Sequence, residues 1–206
     1  MNTKENILAT ALHLFNRDGL DKVSLRAIAR EMDISDGNLR YHYNSKAVLV
    51  EALYFRLVDR LNQMFGKLGE AAQPDLRLLY QSLLATFELL DAWRFLMLDF
   101  ARLMRAHPRI LTHFRELQKA RRMMFQAVLQ KMQVEGLMVE MENETFMNLL
   151  DRGQILSDFW IASAEILYEG PTDRRLQHYA QLMFSGIKPF LTKEGLKVYE
   201  EILAKG

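Results

Sequence analysis

Proline occurs only four times and glycine only ten times in the 206 residues, and Leu, Met, Ala, Glu, Lys, Arg and Gln fill the stretches between them. Those residues favour helix, whereas proline and glycine interrupt it. No segment alternates apolar and polar residues with the β-branched enrichment of a strand. An all-α fold is therefore expected. Periodicity and stop signals predict helices at about 3–17, a short one after Ser24, another from Ser35 to about Tyr41, and a fourth from Ser45 past Phe65. Further helices are expected at about 75–91, 93–105, a short piece after Pro108, 115–134, 143–169, 173–191 and 194–204.

Gly66, Gly69 and Pro74 mark a junction, which divides the chain into 1–46, a connecting helix and junction at 47–73, and a larger helical bundle at 74–206. The chain carries 27 basic and 26 acidic residues, so a polyanion site must arise from local placement. The absence of cysteine excludes disulfides, thiolate metal sites and thiol catalysis. No apolar run approaches the roughly 18 residues of a membrane span, and "MNTKENIL" lacks the features of a signal peptide. A cytoplasmic protein without membrane contact is expected.

The 21 residues from Ser24 to Asn44 hold two short helices joined by a tight link at Met32-Asp33-Ile34, which is helix-turn-helix spacing. Such a motif places its second helix in the major groove of DNA, polar outside and packed inside. In "ISDGNLRYHYNSK", Ile34, Leu39 and Tyr43 are spaced to pack against Val23, Ile28 and Leu53. Asp36, Gly37, Asn38, Arg40, Tyr41 and His42 are then left facing outward. Local charge is a weak guide, because five basic and three acidic residues between Lys22 and Lys46 leave only +2.

The stretch "ILATALHLFNRDGLDKVSLRAIAREMDISDGNLRYHYNSKAVLVEAL", Ile7 to Leu53, resembles the TetR family of bacterial transcriptional regulators throughout its 47 residues. Beyond it the likeness lies in helix number and length and in the closing "GIKPFLTKEG". The resemblance implies a three-helix DNA-binding head joined by a long fourth helix to a bundle that dimerises and holds a small apolar or amphipathic effector, with no cofactor. It also implies roles. Ser24 and Lys46 match phosphate contacts. Asp36, Gly37 and Asn38 open the recognition helix, where Asn38 can read an adenine edge. Tyr41 and His42 match positions that touch the backbone or a thymine methyl, and Tyr43 matches a buried aromatic. Arg26 and Ser35 complete the expected DNA-facing set.

One position departs from the family pattern. A tyrosine usually follows the leucine of this helix, and Arg40 stands there instead, either as a phosphate clamp or as a guanine reader. Asp36 is also unusual beside DNA. It can accept from a cytosine amino group or complement the helix dipole.

In the bundle, Phe87, Trp93, Phe95, Leu98, Phe100, Leu103, Met104, Met124, Phe125, Val128 and Phe159 are candidates for an apolar pocket, although aromatic and methionine residues at helical spacing are more often plain core. Arg94, Asp99, Arg102 and Gln126 are polar groups that could orient a ligand. The last long helices are apolar around more than one face, which points to a dimer interface at Leu156, Phe159, Trp160, Ile166, Leu182, Met183 and Ile187.

An enzyme is disfavoured. No two of the histidines at 13, 42, 107, 113 and 178 have metal-ligand spacing on one helix face, so no metal site is expected. No phosphate loop or nucleophile elbow is present. The alternatives are a helical adaptor whose helix-turn-helix no longer binds DNA, or an α-helical enzyme built from distant residues. Phosphate donors at Arg40 and Lys46 argue against an adaptor.

Overall fold

The computed structural model describes residues 3–69 and 75–204, and the described residues are helical without a β-strand. In chain order the helices are α1 (Thr3–Asp18), α2 (Leu25–Glu31), α3 (Asp36–His42), α4 (Lys46–Gly69), α5 (Leu76–Ala92), α6 (Arg94–Leu98), α7 (Phe100–Ala106), α8 (Pro108–Val134), α9 (Asn143–Leu167), α10 (Arg175–Ser185) and α11 (Lys193–Leu203). Short 3₁₀ turns at Thr172–Arg174 and Lys188–Phe190 flank α10.

Several expected boundaries move. Pro108 opens a single α8 where a short piece after Pro108 and a separate helix at 115–134 were expected, because proline at the first turn loses no hydrogen bond the helix would have made. The expected helix at 93–105 breaks at Asp99 into α6 and α7. Gly66 and Gly69 lie inside α4, while Pro74 and the rest of 70–74 lie outside the described residues.

The chain forms two compact units, Met1–Arg60 with Ala92–Thr112, and Leu61–Asp91 with His113–Gly206. These cut the chain differently from boundaries at 46 and 74. In the first unit, Ile7, Leu8, Ala11, Leu14 and Phe15 of α1 are buried, and Phe15 meets Phe95 of α6 with ring centroids 5.1 Å apart. Asn16 clasps the same segment: its Nδ2 donates to the Ala92 carbonyl at 2.8 Å and its Oδ1 accepts from the Phe95 N–H at 3.1 Å. Arg102 of α7 joins Asp99 at 2.8 Å to Asp21 at 2.7 Å. The Arg60 guanidinium lies 4.9 Å over the Trp93 ring. Trp93, Phe95, Phe100, Leu103 and Met104, expected around a pocket in the C-terminal bundle, are thus buried in the unit that contains the helix-turn-helix. Asp99 and Arg102 are structural ties there, and Leu98 is exposed.

The second unit is built around Leu76, Tyr80, Val128, Leu129, Met132, Met138, Phe146, Leu149, Phe184, Ile187, Tyr199 and Ile202, with Met124 and Phe125 packed against them. Phe87 stacks on Trp160 at 4.8 Å and 2°. Trp160 is 1% exposed and Ile187 is 7% exposed. Both were expected at a dimer interface, and both are instead consumed by their own chain's core. Phe159, expected in a pocket as well as at the interface, is exposed. The "GIKPFLTKEG" stretch closes the unit: Leu191 bridges Met138, and the Thr192 hydroxyl donates to the Gly136 carbonyl while accepting from the Gly195 N–H. A Cβ on Gly195 would fall 2.0 Å from the Leu137 carbonyl oxygen, so only glycine fits.

A polar cluster interrupts the packing of α8 and α9. Asp158 accepts from Gln118 at 3.4 Å, and burial pushes its carboxyl up to about 7 against the opposing charge of Arg121 and a hydrogen bond from Gln154. A carboxyl with a folded pKa above its unfolded value near 3.9 favours the protonated fold, so its contribution is fullest below about pH 4 and is lost as pH rises through 7. Asp158→Asn is expected to raise the thermal midpoint more at pH 8 than at pH 5; an equal shift at both would refute the burial argument.

Candidate nucleic-acid interface

Three serines start the three helices that frame the site. Ser24 Oγ accepts from the Ala27 N–H at 3.1 Å, Ser35 Oγ from Asn38 at 3.1 Å, and Ser45 Oγ from Val48 at 3.2 Å. Each satisfies an amide that helix geometry would otherwise leave without a partner. Between α2 and α3 the chain reverses at Asp33, whose φ of 54° is left-handed. Its N–H donates to the Arg30 carbonyl at 3.2 Å and the next N–H, of Ile34, to Ala29 at 3.0 Å. This is the pair of hydrogen bonds that closes a helix through a left-handed residue, a place where aspartate is tolerated and glycine is favoured.

Leu39 is fully buried and Tyr43 is 2% exposed, so α3 is held from its inner side. Ile34 is only half-buried. The Tyr43 hydroxyl has no hydrogen-bond partner, and burial raises its pKa. Turning 100° per residue away from Leu39 brings Gly37 and Tyr41 to the outermost line, with Asp36 and Arg40 on one flank and Asn38 and His42 on the other. The exposures agree: Gly37, Asn38, Arg40 and Tyr41 are exposed, Tyr41 to 86%, while Asp36 and His42 are half-buried. Tyr41 and His42 meet edge to face with centroids 5.2 Å apart.

Two sequence-expected donors are engaged within the chain. Arg40 Nε donates to Asp36 Oδ2 at 2.7 Å and its Nη1 to the Asn44 carbonyl at 3.3 Å. The two residues that look unusual in the sequence therefore form one i, i+4 pair. Lys46 Nζ donates to the Leu20 carbonyl at 2.5 Å, and burial lowers its pKa while Asp21 opposes that shift. Lys46 thus ties α4 to the loop between α1 and α2, with further ammonium protons still available. Ser24, Arg26 and Ser35 are exposed. Asn16 escaped the sequence reading, and Arg102 entered it only as a group that could orient a ligand, because nothing in a lone polar residue of a helical pattern signals a partner about 80 positions away.

A capped helix-turn-helix with an outward polar face, on an all-helical chain, defines the class of helix-turn-helix regulators. Residues 7–53 match the family described as bacterial regulatory proteins, tetR family, and residues 56–199 match TetR, described as bacterial transcriptional repressor. The chain belongs to the TetR family and is a DNA-binding transcriptional regulator. A crystal structure of a TetR-family regulator from Marinobacter aquaeolei VT8 superposes with a TM-score of 0.88 at 22% identity, covering 99% of this chain and 97% of that one. A transcriptional regulator from Saccharomonospora viridis, solved in complex with choline, gives a TM-score of 0.71 at 20% identity over 92% and 98% of the two chains. The probable HTH-type transcriptional regulator YttP of Bacillus subtilis is 29% identical over 76 residues, which span 37% of this chain and 35% of that relative.

The buried hydroxyl of Tyr43 supplies a direct check on the packing beneath α3. Tyr43→Phe removes a polar atom that has no partner and is expected to stabilise the fold by about 1 kcal/mol, raising the thermal midpoint by about 2–4 °C. A fall in the midpoint would mean that the hydroxyl has a partner after all.

Proposed function

We propose that the chain is a homodimeric repressor acting in the cytoplasm, released from a pseudo-palindromic operator by a small amphipathic effector. The observation that carries the DNA half of this reading is the outward face of α3, where Asn38, Arg40 and Tyr41 are exposed on a helix anchored by Leu39. In this reading two such helices enter successive major grooves roughly one helical turn apart. Asn38 reads a base edge, while Ser24, Arg26, Ser35 and the remaining protons of Lys46 meet phosphates. Gly37 permits close approach, and Tyr41 and His42 pack against the backbone or a thymine methyl.

The dimer half rests on what α9 and α10 leave uncovered. Ile155, Phe159 and Ile166 recur at i, i+4 and i+11 with exposures of 62, 44 and 79%, and Leu182 of α10 is 50% exposed. Leu156 and Met183 are half-buried beside them. A second copy of the chain is the occupant that gives the operator its two-fold geometry. For the effector, the candidates that remain in the second unit are Phe87, Met124, Phe125 and Val128, with Asp158 to meet a polar group. An effector that prefers the conformation with misaligned heads lowers operator affinity by its differential affinity for the two states. Such a compound is recognised by raising the thermal midpoint and weakening DNA binding together.

Two measurements test the halves separately. Asn38→Ala should change preference at one base position, whereas Arg26→Ala should weaken all sequences alike and flatten the salt dependence by about one unit. Identical losses from both would remove the role assignments. Sedimentation at micromolar concentration should report twice the chain mass, and Phe159→Glu with Leu182→Glu should return a folded monomer. A wild-type monomer would overturn the dimer.

A further inference from the structure

Resting on the DNA-binding reading above, we propose that Arg40 reads a guanine in the major groove and that Asp36 is the positioning residue that holds its guanidinium in place. The argument begins with Asp36. Its Oδ2 accepts Arg40 Nε–H at 2.7 Å, and its Oδ1 is shielded from solvent with no hydrogen-bond partner. Oδ1 is therefore not presented to a cytosine amino group, and Oδ2 is already engaged by Arg40. The contact the carboxylate makes is with Arg40.

The guanidinium is consequently fixed at two points, by Asp36 on Nε and by the Asn44 carbonyl on Nη1 at 3.3 Å. A guanidinium has five N–H donors. Two are committed, which leaves three on Nη1 and Nη2, and the side chain is still 51% exposed. Guanine offers O6 and N7 side by side as acceptors, and a planar fork meets both with parallel bonds. A fork held in advance loses less conformational freedom on docking than a free side chain.

The competing role, a phosphate clamp, fits this geometry poorly. Phosphate attraction depends on net positive charge, and an arginine bound to a carboxylate 2.7 Å away presents almost none. Asp36 would also repel the phosphate it was meant to help grip. For a base reader the same carboxylate is an advantage, because it reduces attraction to arbitrary DNA while fixing the direction of the fork.

The test uses the full chain and a random duplex pool. Bound sequences are selected with the wild type, and affinities are then measured for the selected site and its single-base variants at two salt concentrations. Arg40→Lys keeps the charge but not the fork. It is expected to reduce discrimination at one guanine by about 5- to 150-fold, with the other positions and the salt dependence unchanged. Asp36→Ala should reduce discrimination at that same guanine while tightening binding to unrelated duplex. Circular dichroism checks that both variants fold. Full base preference in Arg40→Lys, or an Arg40→Ala variant that loses affinity evenly for every sequence with a salt dependence flatter by about one unit, would overturn the guanine reading. Unchanged preference in Asp36→Ala would overturn the positioning role. A wild type that selects a site indifferent to Arg40 sinks this inference alone, whereas a wild type that selects no sequence sinks the DNA-binding reading and this one with it.

Discussion

The reversal of the chain at Asp33 determines where every outward side chain of α3 stands. Two hydrogen bonds, from the Asp33 N–H to the Arg30 carbonyl and from the Ile34 N–H to the Ala29 carbonyl, end α2 and aim the next residues at the Ser35 cap. A helix of seven residues has little stability of its own. Its direction is set by what enters and what holds it: the left-handed turn before it, the Ser35 cap at its start, and Leu39 fully buried beneath. With Leu39 fixed, the 100° rotation per residue leaves no freedom in which residues face out. The polar face of α3 is therefore a consequence of the turn and of one leucine.

The head is larger than the helix-turn-helix, and polar contacts at long sequence separation make it so. Asn16 takes both a carbonyl and an amide from the segment opening α6, which supplies partners that a short helix start lacks within itself. Arg102 then ties α7 to Asp21, in the loop that Lys46 holds through Leu20. Loop, α4 start and α7 are thereby joined within one unit.

The sequence made the caps, the turn and the anchor legible because each is a local rule: a serine before an apolar run, a tight three-residue link, a leucine at helical spacing. The same rules failed where a competing partner lies far away in the chain. Trp93 and Phe95 read as part of the bundle because they follow the expected junction, yet Phe15 and Arg60 claim them for the head. The apolar breadth of α9 and α10 was visible, but periodicity cannot tell which face the chain covers itself. Trp160 went to Phe87, while Phe159 beside it stayed exposed. The helical start at Pro108 was legible, because proline is favoured at a first turn, but the continuity of α8 from there through 115–134 was not.

Several basic residues of the head are engaged by the head itself. Arg17 pairs with Asp18, Arg56 with Glu5, Arg102 with Asp21 and Asp99, Arg40 with Asp36, and Lys46 is turned onto a carbonyl. Binding to arbitrary DNA is an electrostatic effect that grows with unpaired cations at the surface. Each arginine paired in this way adds less to that background, and the ratio between a preferred site and the rest of a genome is governed by the background as much as by the preferred contacts. On the proposed reading, Arg40 adds discrimination without adding general attraction to DNA, because a carboxylate accompanies it four residues earlier. Asp36 and Arg40 are thus one feature of the sequence, an i, i+4 pair in which the carboxylate fixes the guanidinium, and the proposed guanine contact gives both residues a reason to stand on this face.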